Sequence, residues 1–252
     1  NRIEQFSSPK NYRKELDRVA KELDKEIEIV SLVIPAGGAS FHHGKLWHFS
    51  EEEKRHLMFA TSAFTLALSL MYVGGMFNIS NFGVSAWLAN LIAALPVMLL
   101  GVGPAFVLHE MGHKLVARHY GCWAEYRGNR NGLFFAVLMS TFGFLLAAPG
   151  AVMIMGRIND TQHGHIAAVG PLTNIILAMI AMPIYAMEAG GGELSLLGSL
   201  ARFLIIINLI LAGFNMIPIS PLDGSKVLAW SFGAYCLIVA CILAAANTYW
   251  SL

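Results

Sequence analysis

Five consecutive residues, His109-Glu110-Met111-Gly112-His113, form the pattern in this chain best suited to chemistry. On an α-helix, at about 100° per residue, imidazoles at positions i and i+4 share one face. They can grip one ion together, and zinc takes imidazole nitrogen readily while leaving a position for water in hydrolytic sites. Glu110 is placed to take the proton from such a water as it attacks a carbonyl. The same pattern arises by chance on surface helices of soluble proteins. Here it ends a stretch, 57–108, that holds no Lys, Arg, Asp or Glu. Ionisable groups at the end of an apolar span cost several kcal/mol unless they are paired or ligated. The expectation is therefore a catalytic Glu110 between the metal ligands His109 and His113.

A third ligand has two candidates, His119 and Asp223. Where a third histidine closes such a site, a glycine breaks the helix so that the chain turns back, and the corresponding residue here is Val116. If the helix continues, His119 lies about 9 Å further along the axis and well around it, and misses the ion. Asp223 follows Pro218 and Pro221, which unwind a helix end by removing amide donors, and precedes Gly224, which permits a tight turn. It is expected at the same end of the bundle as the two histidines.

The elements that must hold these residues are set by composition. The chain has 252 residues, 56% hydrophobic and 13% charged, with a mean hydropathy of +0.58, outside the usual soluble range. A net charge of +1 with Lys and Arg matched by Asp and Glu gives no concentrated basic surface, so no nucleic-acid partner is expected. Membrane lipid is the expected surround. A helix needs about 20 apolar residues to cross hydrocarbon, and 57–76, 84–108 (continuing past the membrane edge), 166–187, 200–217 and 227–249 qualify. Residues 131–156 are uncharged but interrupted at Pro149-Gly150. They read as a re-entrant hairpin with arms 133–146 and 151–155, or alternatively as a sixth full span. The fold class is an all-α polytopic membrane protein of five to six transmembrane helices with a small membrane-embedded β-hairpin or re-entrant element.

Lys and Arg concentrate on cytoplasmic flanks. Lys54 and Arg55 place the N-terminus in the cytoplasm, and Lys114, Arg118, Arg127, Arg130, Arg157 and Lys226 fall on the same side if 131–156 doubles back. Arg202 alone falls on the other. This gives a cytoplasmic N-terminal segment, 1–55, with a helix near 16–27 and a strand near 27–34, and a transmembrane metalloprotease domain, 56–252, in the cell membrane.

Two separated motifs now resemble those of the site-2 protease family of intramembrane metalloproteases: His109-Glu110-x-x-His113, and Asn208-Leu209 through Gly213-Phe214-Asn215-x-Ile217-Pro218-x-x-Pro221-x-Asp223-Gly224. A weaker match is Gly170-Pro171-Leu172-x-Asn174. The resemblance covers about 105–225. It implies one Zn2+ per chain held by His109, His113 and Asp223, Glu110 as general base, and cleavage of the transmembrane segment of a membrane-anchored protein substrate in regulated intramembrane proteolysis. It also implies that Asn215 and Asn174 hold substrate backbone or the developing oxyanion. Read from the residues alone, Asn215 and Asn208 serve equally as interhelical hydrogen bonds in lipid. Two rival readings are a membrane zinc transporter, which would need ligands along a path through the bilayer, and a catalytically silent relative, which would have no need of Glu110.

Overall fold

The computed structural model describes residues 47–144, 150–191 and 193–252. The helix and strand expected within 1–46 lie outside the described residues.

Helix α1 (Glu51–Tyr72) starts where Ser50 caps it, its Oγ accepting from the Glu53 amide at 3.1 Å, with three acids in the first turn complementing the helix dipole. It stops at Gly74 and Gly75, whose φ angles of 77° and 64° suit glycine alone. The chain then bends by 41° into a short 3-10 turn and α2 (Ile79–Phe82), and the bent pair is apolar enough to count as one span. Helix α3 (Val84–His119) has 36 residues, about 54 Å at 1.5 Å per residue and longer than the roughly 30 Å of hydrocarbon. Its last turns, which carry His109 to His119, therefore run on past the depth a span requires.

Strand β1 (Trp123–Gly128) follows, then helix α4 (Arg130–Ser140) and strand β2 (Gly150–Met155). The strands pair antiparallel, from Trp123 opposite Met155 to Gly128 opposite Gly150. The small β element is thus present, but its partner strand is 123–128, and the first arm of the expected hairpin is helical. Eleven residues reach only about 16 Å, too short to cross. Continuous pairing of 150–155 with 123–128 returns this segment to the end of the bundle where β1 began, so 131–156 makes no sixth span among the described residues.

Helix α5 (Asp160–Ala189) opens with a capping box between Asn159 and Gln162. Helix α6 (Leu196–Asn215) is capped by Ser195 and ends before Pro218. A short helix α7 (Asp223–Trp230) and a long α8 (Phe232–Ser251) complete the chain. Helices α3, α5, α6 and α8 are each long and apolar enough to span, and the bent α1–α2 pair makes a fifth. Their outward faces carry Ile92, Leu100, Ile180 and Leu243 exposed, a cost in water but none in lipid. The chain is an integral membrane protein. One core packs Phe64 of α1, Phe106 of α3, Tyr126 of β1 and Leu133 of α4. A second joins Ala168 of α5, Ala212 of α6, Val227 of α7 and Ile238 of α8.

Candidate metal centre and active site

His109 and His113 lie on one face of α3, with ring nitrogens Nε2 3.1 Å apart. Asp223, the first residue of α7, brings Oδ2 to 3.3 Å from His109 Nε2 and 3.0 Å from His113 Nε2. These three form a group of close potential ligands, all buried. His119 is not among them; it closes α3 and packs its ring on Tyr120.

The orientation of each ring is fixed from behind. His113 Nδ1 lies 2.6 Å from the Ile166 carbonyl oxygen, which can only accept, so Nδ1 carries the proton and Nε2 presents a lone pair. His109 Nδ1 likewise donates to Asn174 Oδ1 at 2.6 Å. Two lone pairs and a carboxylate oxygen therefore converge with no proton of their own to share, which requires positive charge at the centre. Burial works against ionisation of Asp223, but the electrostatic and hydrogen-bonding contributions of His113 and His109 beside it hold its carboxyl well below the usual carboxylate range. Zinc with donors at 2.0–2.1 Å in a tetrahedral arrangement separates those donors by about 3.3 Å, and the three edges here are close to that. The residues fit the ion.

Asn174 corrects an expectation. Its two amide hydrogens go to the Ala105 carbonyl at 3.0 Å and to Asn208 Oδ1 at 2.8 Å, and the side chain has no exposure. No donor is left for substrate or oxyanion. Asn174 instead orients His109 across the α3–α5–α6 contact, and Asn208, which also donates to the Leu204 carbonyl at 2.9 Å, serves as an interhelical hydrogen bond. Asn215 is different: one hydrogen goes to the Leu211 carbonyl at 2.9 Å, and the residue lines the cavity beside the ligands.

That cavity has a volume of about 600 Å³. Glu110, His163, Asn215, Ser220 and Lys226 add polar groups to it beside the candidate ligands, and β2 walls one side with Gly150, Val152 and Ile154. Glu110 is 7% exposed and makes no hydrogen bond to any described residue, which leaves its carboxylate available to whatever enters. Lys226 holds the other oxygen of Asp223, Nζ to Oδ1 at 3.3 Å, so Oδ2 alone is turned to the imidazoles.

Several participants were not apparent in sequence. A Cβ at Gly170 would stand 2.5 Å from His113 Nε2 and 2.6 Å from His109 Nε2, so α5 approaches the rings only because that residue has no side chain. Gly224 has the same function rather than that of a turn: a Cβ there would meet the Met216 carbonyl oxygen at 2.3 Å. Glu53, one of three acids in the first turn of α1, is fully buried. Its carboxylate bonds Lys114 Nζ and accepts from the Tyr126 amide at 3.0 Å. Lys114 also donates to the His48 carbonyl at 2.9 Å. This buried pair ties α1 and β1 to the turn of α3 that bears His113. The usable signal was spacing: Glu53 is on the stripe of Leu57 and Ala60, the face that α1 buries.

No family model matches the chain, and neither does any solved structure. Among curated proteins, the chain is 39% identical over 168 residues to MJ0611 of Methanocaldococcus jannaschii, provisionally named a zinc metalloprotease. The match takes in 66% of this chain and 82% of that protein. It is 29% identical over 154 residues to MJ0392 of the same organism, named a zinc metalloprotease, covering 61% of this chain and 39% of that longer protein. YwhC of Bacillus subtilis, also provisionally named a zinc metalloprotease, is 27% identical over 152 residues, 54% of this chain and 69% of its own.

Proposed function

Because the chain belongs to the zinc metalloprotease family of MJ0611, we propose that it is an intramembrane protease of the site-2 type, cutting transmembrane segments of membrane-anchored proteins. The observation that carries this reading is the burial of the candidate ligands among apolar helices beside an apolar cavity. His109, His113 and Asp223 are gathered, each under 8% exposed, at the ends of helices otherwise built for lipid, and the adjoining cavity is walled mostly by apolar side chains. A soluble peptide has little to gain from such walls, whereas an apolar segment entering sideways is solvated by them. The distribution of Lys and Arg supports a cytoplasmic N-terminus and a site near the inner leaflet.

His109, His113 and Asp223 would hold the ion. Bound there, zinc would supply Lewis acidity that polarises the scissile carbonyl and acidifies water. Glu110 would accept the proton from the attacking water at a carboxylate oxygen and deliver it to the leaving amine nitrogen. Asn215 would donate its remaining amide hydrogen to the carbonyl oxygen as negative charge develops there. Asn174 and the Ile166 carbonyl hold the two imidazoles in the tautomer that ligation requires, and Lys226 keeps Asp223 turned toward them.

A helical substrate must locally unwind, since its carbonyls are occupied by internal hydrogen bonds. The test is cleavage of a transmembrane substrate bearing a central Gly-Pro pair in proteoliposomes, by the wild type and by Glu110→Gln, with zinc content measured on both. The variant should keep its zinc and lose cleavage by a factor of about 10³ or more. Equal cleavage by both would refute the assignment of Glu110. Cleavage only of soluble peptides would refute the intramembrane reading while leaving the metalloprotease family untouched.

A further inference from the structure

Arg202 is left unexplained by the site. Every other Lys and Arg among the described residues lies at the metal end of the bundle. Lys54 and Arg55 are in the first turn of α1, whose Glu53 bonds Lys114. Arg118 closes α3, Arg127, Arg130 and Arg157 flank the small sheet, and Lys226 contacts Asp223. Arg202 belongs to the opposite end, on α6, thirteen residues or about 20 Å along the axis from Asn215. It lies six residues, about 9 Å along the axis, inside the helix start, and the residue is exposed. A guanidinium facing lipid is costly unless neutralised. Among the described residues it has no carboxylate partner. Its one side-chain hydrogen bond runs from Nε to the Tyr249 hydroxyl at 3.3 Å, which fixes the fork and leaves the terminal nitrogens unspent. Glu188, the nearest acid in chain order before α6 apart from Glu193, is already engaged by the amide and hydroxyl of Ser195 at 2.8 and 2.7 Å.

Arg202 opens on a cavity of about 810 Å³ between α1, α3 and α6. Its walls are mixed: Asn78, Asn90 and Ser199 are polar, and Ala93 and Ile206 are apolar. Asn90 and Ser199 make no side-chain hydrogen bond to any described residue. A cation held at Nε beside spare amide and hydroxyl donors, continuous with an apolar wall in a cavity open at the surface, complements an anion carried on a hydrocarbon chain. We propose that this cavity binds the headgroup of an anionic phospholipid from the leaflet opposite the metal centre, with the phosphate on the Arg202 guanidinium and an acyl chain along the Ala93 and Ile206 side.

The test is native mass spectrometry of the detergent-purified full chain, titrated separately with dioleoylphosphatidylglycerol, dioleoylphosphatidylcholine and inorganic phosphate. The wild type should retain one phosphatidylglycerol per chain, held at least about tenfold more tightly than phosphatidylcholine. Arg202→Gln should lose that preference, and Arg202→Lys should keep most of it. Ala93→Phe fills the cavity without touching the Arg202–Tyr249 bond, so it should displace the lipid even if Arg202→Gln folds poorly. Equal retention of phosphatidylglycerol by the wild type and both disruptive variants would overturn the proposal. So would equal affinity for the two lipids, or inorganic phosphate binding as tightly as phosphatidylglycerol. None of these outcomes depends on proteolysis.

Discussion

Replacing Gly170 by alanine separates the packing account of the metal centre from the alternatives. In an ordinary helix interior this change favours the helix by about 1 kcal/mol, because alanine has less backbone freedom to lose. At Gly170 the new Cβ would stand 2.5 Å from His113 Nε2 and 2.6 Å from both Cε1 and Nε2 of His109. Ordinary contact begins at 3.4 Å, so the rings must withdraw by about 0.9 Å. They cannot swing aside freely, since His109 is held at Nδ1 by Asn174 and His113 by the Ile166 carbonyl. The strain must be relieved by parting α3 from α5, and overpacking of this kind costs about 1–3 kcal/mol. The propensity gain is thus cancelled or exceeded. The larger effect is on the ligand set, where a displacement near 1 Å should weaken zinc by about 10–100-fold and slow cleavage by about 100-fold. The assay is zinc per chain in chelator-buffered solutions of stepped free zinc, with a melting curve on the same samples. A variant that melts at or above the wild type and binds zinc with unchanged affinity would refute the argument that α5 sets the position of the rings.

The two asparagines should part company. Asn174→Ala removes the acceptor that orients His109 and should lower zinc affinity by about 10–100-fold, whereas Asn215→Ala should leave zinc in place and reduce kcat by about 10²-fold or more; zinc titration and steady-state kinetics on both variants check this. Glu53→Gln leaves Lys114 buried beside a neutral amide and should cost about 3–5 kcal/mol of stability, while the paired change Glu53→Leu with Lys114→Met should recover most of it; unfolding in mixed micelles gives both numbers. Lys226→Met releases Oδ1 of Asp223, so its zinc affinity should fall while the apo protein unfolds unchanged, a difference that thermal melts with and without zinc will register.

Much of this architecture was legible because lipid simplifies the code. Long uncharged runs located α3, α5, α6 and α8. The pairing of Trp123–Gly128 with Gly150–Met155 was not legible. Neither strand alternates cleanly between apolar and polar residues, and the β1 stretch carries the charged pair Glu125 and Arg127, 2.7 Å apart in the structure. The candidacy of His109, His113 and Asp223, which the structure brings together, was also legible, since the two histidines share a helix face by spacing alone and Asp223 was the remaining acid at the expected end.

The role of Asn174 shows where such reading stops. As a residue type it can donate to an oxyanion or accept from a histidine, and only the neighbours decide. Ala105 on the turn before His109 and Asn208 on α6 take both of its hydrogens, so its oxygen is the atom left to face the ring. That assignment depends on three helices meeting at one depth, information that no single segment contains. The same contact explains why Gly170 and Asn174 lie four residues apart on one face of α5: the glycine admits the rings, and one turn later the amide fixes the first of them. A substitution at either position should therefore be felt at the zinc before it is felt in the fold, and the order in which metal affinity and melting temperature respond measures how far this face of α5 is built for the ion.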